Sequence, residues 1–68
     1  SLPNPFRDVS IADRWAYTVS WSDYPSKGVG EITDEFIRRY QVCPDQRGWE
    51  MTDKTDTDGL LTVAGKCL

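Results

Sequence analysis

The stretch that decides the fold is Glu31-Ile32-Thr33-Asp34-Glu35-Phe36-Ile37-Arg38-Arg39-Tyr40-Gln41-Val42-Cys43. As a helix it places Thr33 at the N-cap, Asp34 and Glu35 in the first turn and Arg38 and Arg39 later, so its charges complement the helix dipole. Pro44 stops it, and Ile32, Phe36, Tyr40 and Cys43 share one face. As a strand, Phe36, Tyr40 and Val42 share a side interrupted by Arg38, and the segment is rich in the β-formers Ile32, Thr33, Phe36, Ile37, Tyr40 and Val42.

The neighbours on the C-terminal side favour the strand. A turn over Cys43-Pro44-Asp45-Gln46-Arg47-Gly48, with Cys43 opposite Gly48, sets Val42 against Trp49, Tyr40 against Met51 and Arg38 against Asp53. One register then makes two apolar pairs and an ion pair. A second turn at Asp56-Thr57-Asp58-Gly59 leads into Leu60 to Ala64, whose Leu61 and Val63 join the same face.

On the N-terminal side, Trp15, Tyr17, Val19 and Trp21 alternate with Ala16, Thr18, Ser20 and Ser22, the period of a half-buried strand. It ends at Tyr24-Pro25-Ser26-Lys27-Gly28, where Pro and Gly mark a turn. Residues 1–9, with Pro3 and Pro5, read as an extended arm pinned by Phe6 and Val9, and Ser10 can cap a turn through Asp13. The preferred fold is all-β, a small antiparallel meander or sandwich forming a single domain over 1–68. The alternative is α+β, βαββ with a helix at about 33–41.

Cys43 and Cys67 lie 24 positions apart and read as one disulfide, because an even cysteine count in so small a chain suits a staple. Closing such a loop is worth about 3.5 kcal/mol in the chain-entropy model. The bond does not separate the two folds, since in either the second and fourth elements end at the same edge. It points to a secreted protein, and the start at Ser1 without Met is what signal-peptide removal leaves.

Composition removes several functional classes. With 68 residues, 38% hydrophobic and 28% charged, the chain is of the globular class, and its longest uncharged apolar run, Leu60 to Ala64, is far below the ~20 residues of a membrane span. Eight basic against eleven acidic residues give a net charge of −3, which disfavours nucleic acid and anionic membrane as partners. There is no histidine, so Ser-His-Asp and Cys-His catalysis and His-ligated zinc are absent, and two cysteines cannot complete a structural zinc site. No cofactor, metal site or enzymatic activity is expected.

Asp53 to Gly59 has the look of a calcium loop, but Lys54 stands at its first ligand position and Gly65 where the bidentate Glu belongs, so a polar hairpin turn is the better reading. Trp15, Tyr17, Trp21, Phe36, Tyr40 and Trp49 are expected in the core. Tyr24 is the candidate solvent-facing aromatic, and Lys27 beside it sits near the tip of a Pro-stiffened loop suited to an inhibitor. Arg38, Arg39 and Arg47 are the basic concentration, whose forked guanidiniums suit carboxylate recognition, although Asp34, Glu35, Asp45 and Asp53 lie near enough to pair with them.

Ser20-Trp21, followed by Tyr24, and the terminal Cys67-Leu68 resemble the disulfide-bonded Streptomyces α-amylase inhibitors, which are β-sandwiches. That family's Trp-Arg-Tyr triplet and first disulfide have no counterpart here, so no binding residue is carried over. In size and cysteine economy the chain also resembles small secreted effectors of plant-pathogenic fungi. The expected function is therefore non-enzymatic binding of a protein partner, effector-like or inhibitor-like, through a sheet edge or hairpin tip. The alternative is a carbohydrate-binding module, which requires at least two of Trp15, Trp21 and Trp49 to be accessible and coplanar.

Overall fold

The computed structural model of the protein describes residues 13–68; the expected arm over residues 1–9 and the Ser10 cap lie outside them. Strand β1 (Arg14–Ser20) leads through a 3-10 turn (Trp21–Asp23) to helix α1 (Val29–Tyr40), followed by strands β2 (Trp49–Thr57) and β3 (Leu60–Cys67). Among the described residues the fold is mostly β, with strands of 7, 9 and 8 residues in one antiparallel sheet against a single 12-residue α-helix.

The all-β expectation is corrected at the deciding stretch, which is helical, and the βαββ alternative describes the chain. Val42, Tyr40 and Arg38 consequently do not face Trp49, Met51 and Asp53; β2 pairs with β3 instead. Burial explains the outcome. On a helix Ile32, Thr33, Phe36 and Ile37 all enter the core while Arg38 and Arg39 stay exposed, whereas alternation would have sent Arg38 to the same side as Phe36 and Tyr40.

The helix starts four residues earlier than expected. Gly28 is the N-cap, without a side-chain hydrogen bond, and Thr33 is a buried interior residue whose hydroxyl donates to the Val29 carbonyl at 2.8 Å. At the other end Gln41 takes a left-handed conformation (φ 53°) and its N–H bonds the Ile37 carbonyl, which closes the last turn.

The sheet order is β1-β3-β2, so β1 and β2 run parallel on either side of β3. Two parallel strands need a connection that returns along the sheet, and α1 provides it. The β2–β3 hairpin turns on Asp58 (φ 53°) and Gly59 (φ 78°), the left-handed pair that a two-residue type I′ turn requires.

Trp15, Tyr17, Leu61 and Val63 form the sheet's contribution to the core and meet Ile32, Phe36 and Ile37 of α1. Tyr17 and Phe36 pack edge to face at 5.0 Å. The expected aromatic core divides: Trp15, Tyr17 and Phe36 are buried, while Trp21, Tyr40 and Trp49 are half-buried against them. Gly65 faces Trp15 across β1–β3, and a Cβ there would enter the indole ring and the Glu50 carbonyl. The bulky Trp15 thus needs a partner strand with no side chain at that point.

Cys43, just after α1, bonds Cys67 at the end of β3, with Cα atoms 5.6 Å apart. The disulfide expected from the cysteine count therefore ties the helix-to-β2 connection to the central strand. It fits an extracellular or secreted protein. Among the described residues no helix is long and apolar enough to cross a membrane.

Candidate functional site

Glu35 joins two cations into one polar cluster on the helix side. Its Oε1 accepts from Arg39 Nη2 at 2.7 Å, the i,i+4 spacing that stacks side chains one turn apart. Its Oε2 accepts from Lys27 Nζ at 2.8 Å, from the loop that enters α1. The hydrogen bond from Lys27 holds the Glu35 carboxyl below its ordinary value, and the same bond raises Lys27.

Tyr24 belongs to this cluster. Its ring packs edge to face on Phe36 at 5.5 Å, so it is half-buried rather than a free solvent-facing aromatic. Partial burial and then the Glu35 charge push its hydroxyl up, which places phenol and carboxylate in one electrostatic neighbourhood. The segment Tyr24 to Gly28 is not a hairpin tip: it links the 3-10 turn to α1, with Tyr24 anchored on the core and Lys27 tied to Glu35.

The other basic candidates divide. Arg38 lies on the next flank of the helix, where its Nε donates to Asp34 Oδ2 at 3.0 Å. Arg47 is exposed in the connection between α1 and β2, away from Glu35, and its backbone N–H donates to Asp45 Oδ1 at 3.0 Å. From sequence Glu35 is only a local counter-charge to the nearby arginines, and its role as the hub is not legible there. Its i,i+4 spacing to Arg39 was the available signal; the link to Lys27 depends on how the loop meets the helix.

The opposite surface is the open face of the sheet. Arg14, Ala16 and Thr18 of β1, Thr62, Ala64 and Lys66 of β3, and Glu50, Asp53 and Thr55 of β2 share it. Thr18 and Thr62 hydroxyls meet at 3.2 Å, and Thr55 stands opposite Thr62 on the other side, making a three-strand row of threonines. Lys66 Nζ and Glu50 Oε2 pair at 3.4 Å.

The supposed calcium loop is strand up to Thr57, and Asp53 and Asp56 point to opposite faces. Among the described residues no three His, Cys, Asp or Glu side chains gather to hold a metal. Trp15 is 2% exposed and meets Trp49 edge to face at 78°, while the half-buried Trp21, bonded to the Gly59 carbonyl, and Trp49, opposite Cys67, stand at opposite ends of the sheet.

No protein-family model matches the chain, and no curated protein or solved structure does.

Proposed function

We propose that this is a small secreted, non-enzymatic protein that binds another protein, effector-like or inhibitor-like, through the surface formed by Tyr24, Lys27 and Arg39. The observation that carries the reading is the Glu35 hub, which holds Lys27 at 2.8 Å and Arg39 at 2.7 Å beside a Tyr24 seated on Phe36. Tyr and Arg are the residue types that dominate binding at protein interfaces, and side chains already held in place lose less entropy on docking. Two cations flank the Glu35 carboxylate, with Glu31 acting on Lys27 and Asp23 on Tyr24, so the surface offers positioned ammonium and guanidinium donors among charges of both signs.

The disulfide supports the secreted setting, since such bonds persist in oxidising compartments. The net charge of −3 weighs against nucleic acid and anionic membrane as partners. The carbohydrate-binding alternative loses support from the tryptophan geometry, because stacking on sugar needs an accessible flat platform.

The test is parallel screening of the protein on arrays of extracellular proteins and of glycans, with the variant K27E/R39E as control. The expected result is a protein ligand whose affinity falls at least about tenfold in the variant, which circular dichroism shows still folded. Binding of glycans alone, or protein binding indifferent to K27E/R39E, overturns the reading.

A further inference from the structure

Strand β2 is the outer strand of the described sheet on the side away from β1. From Thr52 to Thr57 every residue is exposed, although alternation along a covered strand would bury half of them. The residues of this stretch are all polar or charged, and a β-bulge between Met51 and Asp53 sets which of them face which side. Before it, Trp49 and Met51 face the helix layer; after it, Lys54 and Asp56 take that side, opposite Val63 and Leu61, while Asp53, Thr55 and Thr57 face outward. An edge strand with both faces exposed has main-chain groups ready for one more strand.

We infer that this edge pairs with the same edge of a second copy, antiparallel about a two-fold axis that passes between the two copies of Thr55. A two-fold axis normal to the sheet keeps both helix layers on one side and must pass between the two copies of a single residue, because directly opposed residues share a face. Among the centres from Asp53 to Thr57, four oppose like charges. Centres at Asp53, Lys54 and Asp56 set each residue against itself, and a centre at Thr57 sets Asp56 against Asp58.

Thr55 alone avoids this conflict. Lys54 then lies opposite Asp56 of the second copy, and Asp56 opposite its Lys54, so four charges alternate in sign around the axis. Asp53 meets Thr57, which suits hydrogen bonding. On the open face Thr55 meets its own copy, and the row Thr18, Thr62, Thr55 continues across the axis into the second molecule.

Charges on an edge strand ordinarily repel strands that would add to it. Here the order Asp53-Lys54-Thr55-Asp56 turns that device into a filter, rejecting other registers and accepting its own sequence. Two edge strands bury little surface, so the association is weak and concentration-dependent. It uses a different surface from Tyr24, Lys27 and Arg39.

The test is sedimentation equilibrium of the full chain from about 10 μM to about 1 mM, a range that reads weak association. The samples are wild type, K54D, D56K, the swap K54D/D56K, and an equimolar mixture of K54D and D56K, with circular dichroism confirming the fold of each. Wild type should dimerise, and each single reversal should weaken the dimer by about tenfold or more, since both copies then oppose like charges. The swap restores opposite charges in a homodimer and should recover the wild-type constant within about threefold. The mixture should form a heterodimer tighter than either variant alone. A wild type monomeric at the highest concentration, a dimer indifferent to both reversals, or reversals that neither swap nor mixture rescues would each overturn the inference.

Discussion

The Tyr17 Oη lies 2.6 Å from Thr33 Oγ1 inside the core, and Thr33 donates its own proton to the Val29 carbonyl at 2.8 Å. Tyr17 is therefore the donor, and this one bond joins β1 to α1. In a double-mutant cycle with Y17F and T33V, denaturant unfolding should give a coupling energy of about 1 kcal/mol between the two sites, the usual worth of a buried hydrogen bond. Additive effects would show that the pairing contributes nothing.

Burial pushes the Tyr17 hydroxyl above its ordinary value. A group whose folded pKa is raised contributes stability that is present below the unfolded pKa and lost as pH rises through the folded one. Wild-type stability should accordingly fall above about pH 10, the phenol's unfolded range, and fall less steeply in Y17F. Stability measured against pH for the two proteins checks this by the difference in slope.

The Cys43–Cys67 bond closes a loop across 24 positions. Its removal in C43A/C67A should cost about 3.5 kcal/mol by the chain-entropy account, a large share of what so small a core supplies. Thermal unfolding should show a drop in midpoint of well over about 10 °C. A drop of only a few degrees would mean that the helix-to-β2 connection holds its place without the bond.

G65A places a methyl group in the Trp15 indole and against the Glu50 carbonyl. Neither can move freely, because one is core and the other is ladder backbone. The expected loss is about 3 kcal/mol, the upper range for overpacking, with disturbed tryptophan fluorescence. Replacing Gly30, which has open space around it, serves as the mild control: G30A should be neutral or slightly stabilising.

Glu35 is bound by two cations yet remains partly in water, so solvent screening limits E35Q to less than about 1 kcal/mol at neutral pH. Its lowered pKa means that the contribution is present above the ordinary carboxylate range and disappears as pH falls through the folded value. The stability difference between wild type and E35Q should therefore shrink toward zero in acid. A difference that persists under full protonation would assign the effect to packing.

The sequence made the first strand, the hairpin around Asp58-Gly59 and the disulfide readable, because each rests on a local or counting rule: alternation of large and small residues, a turn dipeptide, an even pair of cysteines. It left Glu31 to Cys43 ambiguous, since β-rich composition and helical charge placement coexist there. The hub role of Glu35 was only half visible. Its spacing to Arg39 is a helical signal that the preferred strand reading discarded, and Lys27 reaches it only across the loop that enters α1.

What the sequence by itself determined is the inventory and the local geometry: a net charge of −3, no histidine, one cystine, an alternating strand from Trp15 and a tight turn at Asp58-Gly59. What only the tertiary structure decided is which way residues 29–40 coil, which strand lies between which, and where β2 leaves its cover. The physical reason is burial. Ile32, Phe36 and Ile37 become a single face only when Tyr17, Leu61 and Val63 are there to receive it, and those partners come from strands distant along the chain. The same holds for the β2 bulge, whose consequence for Lys54 and Asp56 exists only in the register with β3.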